Sequence, residues 1–564
     1  MRWTFHLPHG AAALLLAVVL SGCPMTTERS LANAGDESED VVVTPAPEDG
    51  ETPEHLNNGG GTPPPNNGGG TPPPNNGGGT PPPNNGGGTP PPNNGGGTPP
   101  PNNGGGTPPP NNGAGTPPPN NGGGTPPPNN GGGTPPMGVD PRSQLMITDL
   151  RVVEDPVRTN PASGDQGVWT FKYLIEQMAG TRNPSAFALE WLRLWEQDQV
   201  VNGRTSSARP SIRPRVIDPW MQVSGGSQLD LSLAPFKLLA IVNRIDLREH
   251  DGTTVVTGGE GRFVFGVLAP DGTPLLPAAG SGRSGFLVIF EYELPATTMD
   301  GLRDWALAWR GLGSSPLGSP EYNAALEQIT RRFSDRGSAL GKPNGNALNQ
   351  IRTNEIALRA PWEMREFVID GTSGFLRQTT VALTPDTIEL NGTQAFADLI
   401  NDGEADILAG TGQLSPDAFA ASSLVGPFRE GDFPDFADRT YTILPLANGL
   451  FDVAWSAAGI VNNDARHEFA LNTCSGCHRA ETRTGFVMVG FPADHTLPES
   501  LGRPAALSGF LRGVAVPDPV EPETVRHFAD LQRRKLEFEA LLASFGEQGS
   551  GPGPRGEHRP RFVH

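Results

Sequence analysis

The stretches FKLLAIV (236–242), RFVFGVL (262–268), FLVIFEYEL (286–294) and REFVI (365–369) decide the fold. Each crowds β-branched and aromatic side chains into a short run, a composition that suits a pleated, half-buried surface, so each is predicted as a strand. Between and around them the hydrophobic period changes to that of a helix. Asn183 as cap and Pro184 at the first helical position open a segment with Phe187, Trp191, Leu194 and Trp195 on one face. Ser319 and Pro320 open another, in which Tyr322, Leu326, Ile329 and Phe333 are in phase. Strands and helices mixed in this way predict a large α+β region over residues 138–455.

No catalytic constellation stands out in that region. It holds no GxSxG, no HExxH and no EF-hand loop, and Gly259-Glu260-Gly261 lacks the later glycine of a dinucleotide fingerprint. Trp305 and Trp309 read as core. An enzyme housed here would need a deep pocket with converging polar groups. Whether the chain is an enzyme therefore stays open at this point, with an electron carrier or a binding module as the expectation. Charge excludes one class of partner. The chain carries a net charge of −20, and residues 138–564 alone hold 52 acidic against 39 basic side chains, so nucleic acid is not expected on this surface. Only four of the 41 basic residues are lysine.

The N-terminus predicts export. Arg2 precedes an apolar run from Ala11 to Leu20, which at about ten residues is too short to span a bilayer, since a spanning helix needs roughly 20. Leu20, Ser21, Gly22 and Cys23 resemble the bacterial lipobox. That resemblance implies cleavage after residue 22, a signal peptide over 1–22 and acylation of Cys23, which would anchor the chain to a membrane. Pro24 stands where an Asp would favour inner-membrane retention, so the expected address is the cell envelope, anchored at the outer membrane, on either face. From Asn57 the unit NNGGGTPPP recurs every nine residues for nine copies. These units contain no apolar side chain and cannot stack into a solenoid. Gly triplets alternate with stiffer Pro triplets, which predicts a disordered tether over 23–137 spanning roughly 50 Å on average.

Near the other end stands Asn472-Thr473-Cys474-Ser475-Gly476-Cys477-His478, a CxxCH run. Two thiols three residues apart can reach the two vinyl groups of one porphyrin, and the next imidazole can ligate the iron, so the motif predicts one covalent haem c held by Cys474, Cys477 and His478. Three other readings of the cysteines are open. A thiol–disulfide pair would use an exposed, acidified cysteine. A structural zinc would need a fourth ligand. A plain Cys474–Cys477 disulfide would leave a haem-free, surface-displayed binding or structural lipoprotein. For the far side of the iron the candidates are Met488, His495 and His527; beside Phe486, Val487 and Val489, Met488 also reads as core. A methionine ligand would raise the reduction potential and a histidine lower it. Residues 464–471, 505–511 and 520–545 read as helices, with His467 on a helix surface. Helices around a haem resemble the small cytochrome c fold, so a mostly helical region over 456–550 is expected, followed by a disordered tail over 551–564.

The segments LLAIVNRIDLR (238–248), GEGRFVFGVL (259–268), PNGNALNQIRTNEIAL (343–358) and FALNTCSGCHRAET (469–482) together resemble a group of exported bacterial lipoproteins with a single c-type haem motif near the C-terminus. The resemblance covers most of 138–545 and carries no established activity. What it implies is export and the cysteine motif. The expected function is that of a lipid-anchored envelope haem protein that transfers electrons to or from an envelope partner.

Overall fold

A computed structural model of the chain describes residues 138–546, apart from 202–203, 251–253, 278–284, 295, 360–361, 380–389, 410–423, 426–441, 446–450, 474, 486 and 493–501. The signal segment, Cys23, the repeat tether, Cys474, His495 and the C-terminal tail lie outside the described residues.

The strand-forming stretches meet in one eight-stranded antiparallel sheet. Seven strands follow one another across it in chain order: β1 (Met146–Ile147), β2 (Phe236–Arg244), β3 (Glu260–Val267), β4 (Leu287–Glu293), β5 (Leu348–Asn354), β6 (Glu363–Ile369) and β7 (Leu376–Thr379). The short β8 (Leu424–Val425) pairs with the start of β6. The pleat sorts side chains by parity. On β3 and β4, Phe263, Phe265, Val267, Val288, Phe290 and Tyr292 face one layer, while Val264 and Leu287 face the other. A register shift between Leu238 and Ala240 on β2 lets Leu238 and Ile241 serve the first layer and Leu239, Ala240 and Val242 the second.

The first layer is helical. α1 (Phe171–Ala179), α2 (Pro184–Arg193), α3 (Met299–Gly311) and α4 (Pro320–Ser334) bury Trp191, Trp305, Trp309 and Phe333 against the sheet. Both predicted caps form: the Asn183 side chain accepts from Ala186 N–H and Ser319 from Tyr322 N–H. The mixed α+β class expected from the sequence is what the chain adopts.

The second face carries the C-terminal segments, and here the sequence reading needs correction. α5 (Gln394–Asp402) precedes the expected helical region and packs Phe396 and Ile400 against Phe469; within 456–550 a helical portion is present in α6 (Asn463–Leu471), α7 (Gly509–Arg512) and α8 (Asp530–Ser544). Two β-hairpins interrupt it, β9 (Val489–Gly490) with β10 (Ala506–Leu507) and β11 (Val514–Pro517) with β12 (Val525–Phe528). The helix expected from 520 begins only at Asp530. Pro517, Pro519 and Pro522 remove helix donors, and Val516 and Phe528 instead face the sheet from a hairpin. Nor does this segment keep a core to itself: Phe538, Leu541 and Leu542 of α8 belong to the helical layer, while Leu471, Cys477, Val489, Phe491 and Phe510 pack on the sheet's second face. Among the described residues no helix is long and apolar enough to cross a membrane.

That second face is also crossed by charge. Arg262 sits opposite Glu291 on β4, 3.3 Å away, Arg352 on β5 lies 3.4 Å from Glu291, and Arg352 meets Glu366 on β6 at 3.0 Å. All four side chains are buried. Buried charges survive only when paired, and neighbouring strands supply the pairing here.

Candidate functional site

The cysteine motif is wound into a turn by its own neighbours. α6 ends at Leu471, and the Thr473 hydroxyl then donates to Ala470 O at 2.7 Å and accepts from Gly476 N–H at 3.0 Å. Cys477 N–H donates back to Thr473 O at 2.9 Å, which starts the helical turn over Gly476–Ala480. On the far side Thr482 Oγ1 donates to Cys477 O at 2.5 Å, and Thr484 Oγ1 donates to His478 O. Gly476 is required by close approach: a Cβ there would lie 2.0 Å from Ala470 O, which is backbone and cannot yield. Gly476→Ala is therefore expected to cost about 1–3 kcal/mol, the range for forced overpacking, seen as a lower urea midpoint.

This turn directs Cys477 and His478 at a cavity of about 70 Å³ between the motif and the second face of the sheet. Most of the wall is apolar, from Val242, Val264, Leu287 and Ile289 on the sheet to Val489 and Phe510 on the cover. Met488, immediately before β9, lines the same cavity; Ser508 donates to its carbonyl at 2.9 Å and, through Oγ, to its sulfur at 3.3 Å. The His478 ring lies against Trp362, centroids 5.6 Å apart. Three of the residues singled out from sequence are thus brought together, while His527 is exposed on β12 and lines no part of this cavity.

One end of the cavity is charged. Arg244, Arg262, Arg534 and Asp530 line it. Behind them Arg244 holds Asp246 at 2.9 Å, Arg533 reaches Asp246 at 3.0 Å and Asp530 at 2.8 Å, and Arg534 meets Asp530 at 2.6 Å. Burial alone would raise the Asp246 carboxyl, but Arg244, Arg534 and Arg533 hold it well below the usual range. Burial, with Arg244 alongside, pushes Arg534 down to about 10, so it stays charged at neutral pH. No local pattern announces this group, because Arg244 and Arg534 are nearly three hundred residues apart and only the fold makes them neighbours.

Cys477 is a free and buried thiol, raised far above its ordinary value by burial and, secondarily, by Asp530. Thiol–disulfide exchange needs the opposite environment, exposed and electropositive. A second cluster, beside the motif, gathers His467, Glu481 and Asp518, the one group among the described residues with metal-ligand proximity. His467 is fully buried, not on a helix surface as its sequence suggests; its Nδ1 lies 2.6 Å from Glu481. Arg466 fills the cluster, meeting Glu481 at 2.6 Å and Asp518 at 3.0 Å, and Arg526 meets Asp518 at 2.9 Å. With two guanidinium groups donating into it, the cluster is an ion-pair network that ties α6 to the motif turn and to the β11–β12 hairpin.

The first cavity thus gathers an imidazole, a thioether and a thiol among apolar walls, with ion-paired arginines at one end. The enclosed space, about 70 Å³, is smaller than a porphyrin. Compared with known proteins, the chain matches no family model, no curated protein and no solved structure.

Proposed function

We propose that this chain is a lipid-anchored c-type haem protein of the cell envelope, tethered through acylated Cys23 and its repeat linker, that transfers electrons to or from an envelope protein partner. The observation that carries the reading is the convergence of Cys477, His478 and Met488 on one largely apolar cavity. Cys474 and Cys477 would hold the porphyrin, His478 would ligate the iron, and Met488 is the candidate for the opposite ligand. The group would supply one-electron redox chemistry. The chain's own contribution is fixation. Thr473, Thr482 and Thr484 hold the motif turn by hydrogen bonds to its backbone, and Ser508 holds the Met488 sulfur. The paired arginines Arg244, Arg262 and Arg534 keep charge at one end of an otherwise apolar space, where a propionate could be neutralised without a lone buried charge.

The test is a pyridine haemochrome spectrum of the exported protein made with a haem-attachment system, beside the Cys474→Ala/Cys477→Ala double variant. A c-type band that survives denaturation and vanishes in the double variant is expected. Absence of covalent haem under conditions where a control cytochrome matures sinks the proposal and leaves a haem-free tethered module.

A further inference from the structure

A second cavity, of about 350 Å³, opens on the helical side of the sheet. It shares no lining residue with the first, and Phe265 places it on the face of β3 opposite Val264. Its walls are aromatic and aliphatic: Trp169, Phe171, Phe236 and Phe265 contribute, with the Phe171 and Phe236 rings stacked at 3.8 Å between centroids. Its polar lining includes Lys172 and Lys237, two of only four lysines in a chain that otherwise uses arginine. These two come from different elements, α1 and β2, sixty-five positions apart, and both side chains are partly exposed.

We propose that this cavity binds a small amphipathic monocarboxylate, of the size of a medium-chain fatty acid. The volume lies at the low end of the ~300–1,000 Å³ typical of small-molecule sites. Beside the apolar walls the polar lining is Glu154, Thr159, Thr170, Lys172 and Lys237, a mixture that suits a ligand with one polar end and an apolar body better than one polar throughout. A single carboxylate matches the two lysines, and an alkyl body matches the aromatic floor. In the ligand-free protein both lysines already hold carboxylates. Lys237 pairs with Glu154, which also lines the cavity, and Lys172 pairs with Glu176 at 2.6 Å. The Glu154 side chain keeps 38 % of its surface exposed, so water can take up its carboxylate when an entering carboxylate displaces it from Lys237, and Glu154 acts as a competitor for the site. The site is independent of the haem proposal.

The experiment is calorimetric titration of sodium octanoate into the full chain carrying Cys23→Ala, which removes the expected acylation and with it the need for detergent. Octanoate is expected to bind, and octanol and octylamine to bind at least about tenfold more weakly, the scale of a charge-assisted hydrogen bond. Lys172→Gln with Lys237→Gln should weaken octanoate about tenfold or more, and Ala234→Trp, which fills the cavity, should abolish binding. Glu154→Gln should tighten it several-fold, a gain that no misfolded variant would mimic. No octanoate binding overturns the proposal, as does binding that octanol matches or that Ala234→Trp leaves intact.

Discussion

Arg466→Met is expected to cost about 3–5 kcal/mol of folding stability at neutral pH, the range for removing one partner from a buried ion pair. The side chain is 1 % exposed, and it holds both Glu481 and Asp518 while Nη1 also donates to Trp455 O at 3.1 Å. Met fills similar volume but neutralises neither carboxylate. Burial by itself would raise the Glu481 carboxyl; Arg466 and His467 overcome that and hold it below the ordinary value. Asp518 is likewise held low against burial, by Arg466 and by hydrogen bonds from the Glu521 and Val520 backbone and from Arg526. A carboxylate depressed in the folded state adds stability above its unfolded pKa, about 4, and loses it as pH falls through the folded value. The wild-type protein should therefore lose this contribution only in acid. The variant's deficit should be greatest near neutrality and shrink as pH falls toward about 4, because its buried carboxyls, no longer paired with Arg466, take up protons before the depressed carboxyls of the wild type do. Urea titrations of both proteins at a series of pH values read this directly. A deficit that stays constant from neutral pH into acid would mean that Arg466 acts through packing and not through its charge.

How much of this was legible beforehand differs by layer. The four strand stretches and two capped helices follow from local chemistry alone, since side-chain composition and a cap residue act within a few positions of themselves. The sheet order follows the chain order, so even its topology needed little beyond adjacency. The motif residues Cys477, His478 and Met488 were visible as residue types, and the fold put them on one cavity. What the sequence concealed is everything that depends on distant partners. His467 reads as surface because nothing near it in sequence explains a buried imidazole; Glu481 does, fourteen positions on. Residues 520–528 read as the start of a helix because Val525 and Phe528 fit that period, yet the nearby prolines and the apolar sheet face beneath select a hairpin. The lysine-lined cavity on the helical face likewise joins residues from 153 to 268 and has no motif of its own.

Phe367→Ala tests whether the two faces of the sheet are energetically separable, and is expected to cost about 3–5 kcal/mol, the range for truncating a buried aromatic. The ring is fully buried at the centre of β6, edge-on to Trp191 at 6.0 Å and tilted against Trp195 at 4.8 Å. Both indoles are themselves pinned, Trp195 against Phe286 and Trp191 against Phe171, so the hole left by the ring cannot collapse cheaply. Val200→Ala, at a side chain 74 % exposed, is the surface control and should move stability by less than about 0.5 kcal/mol. Phe367 faces the helical layer, whereas Cys477, His478 and Met488 line a cavity on the other face. The haem reading then makes a sharper demand: the variant should unfold at lower urea yet carry the same haem per folded molecule as the wild type. Loss of haem in step with loss of stability would show instead that the motif turn depends on the whole sheet, and that the cover and the helical core fold as one unit.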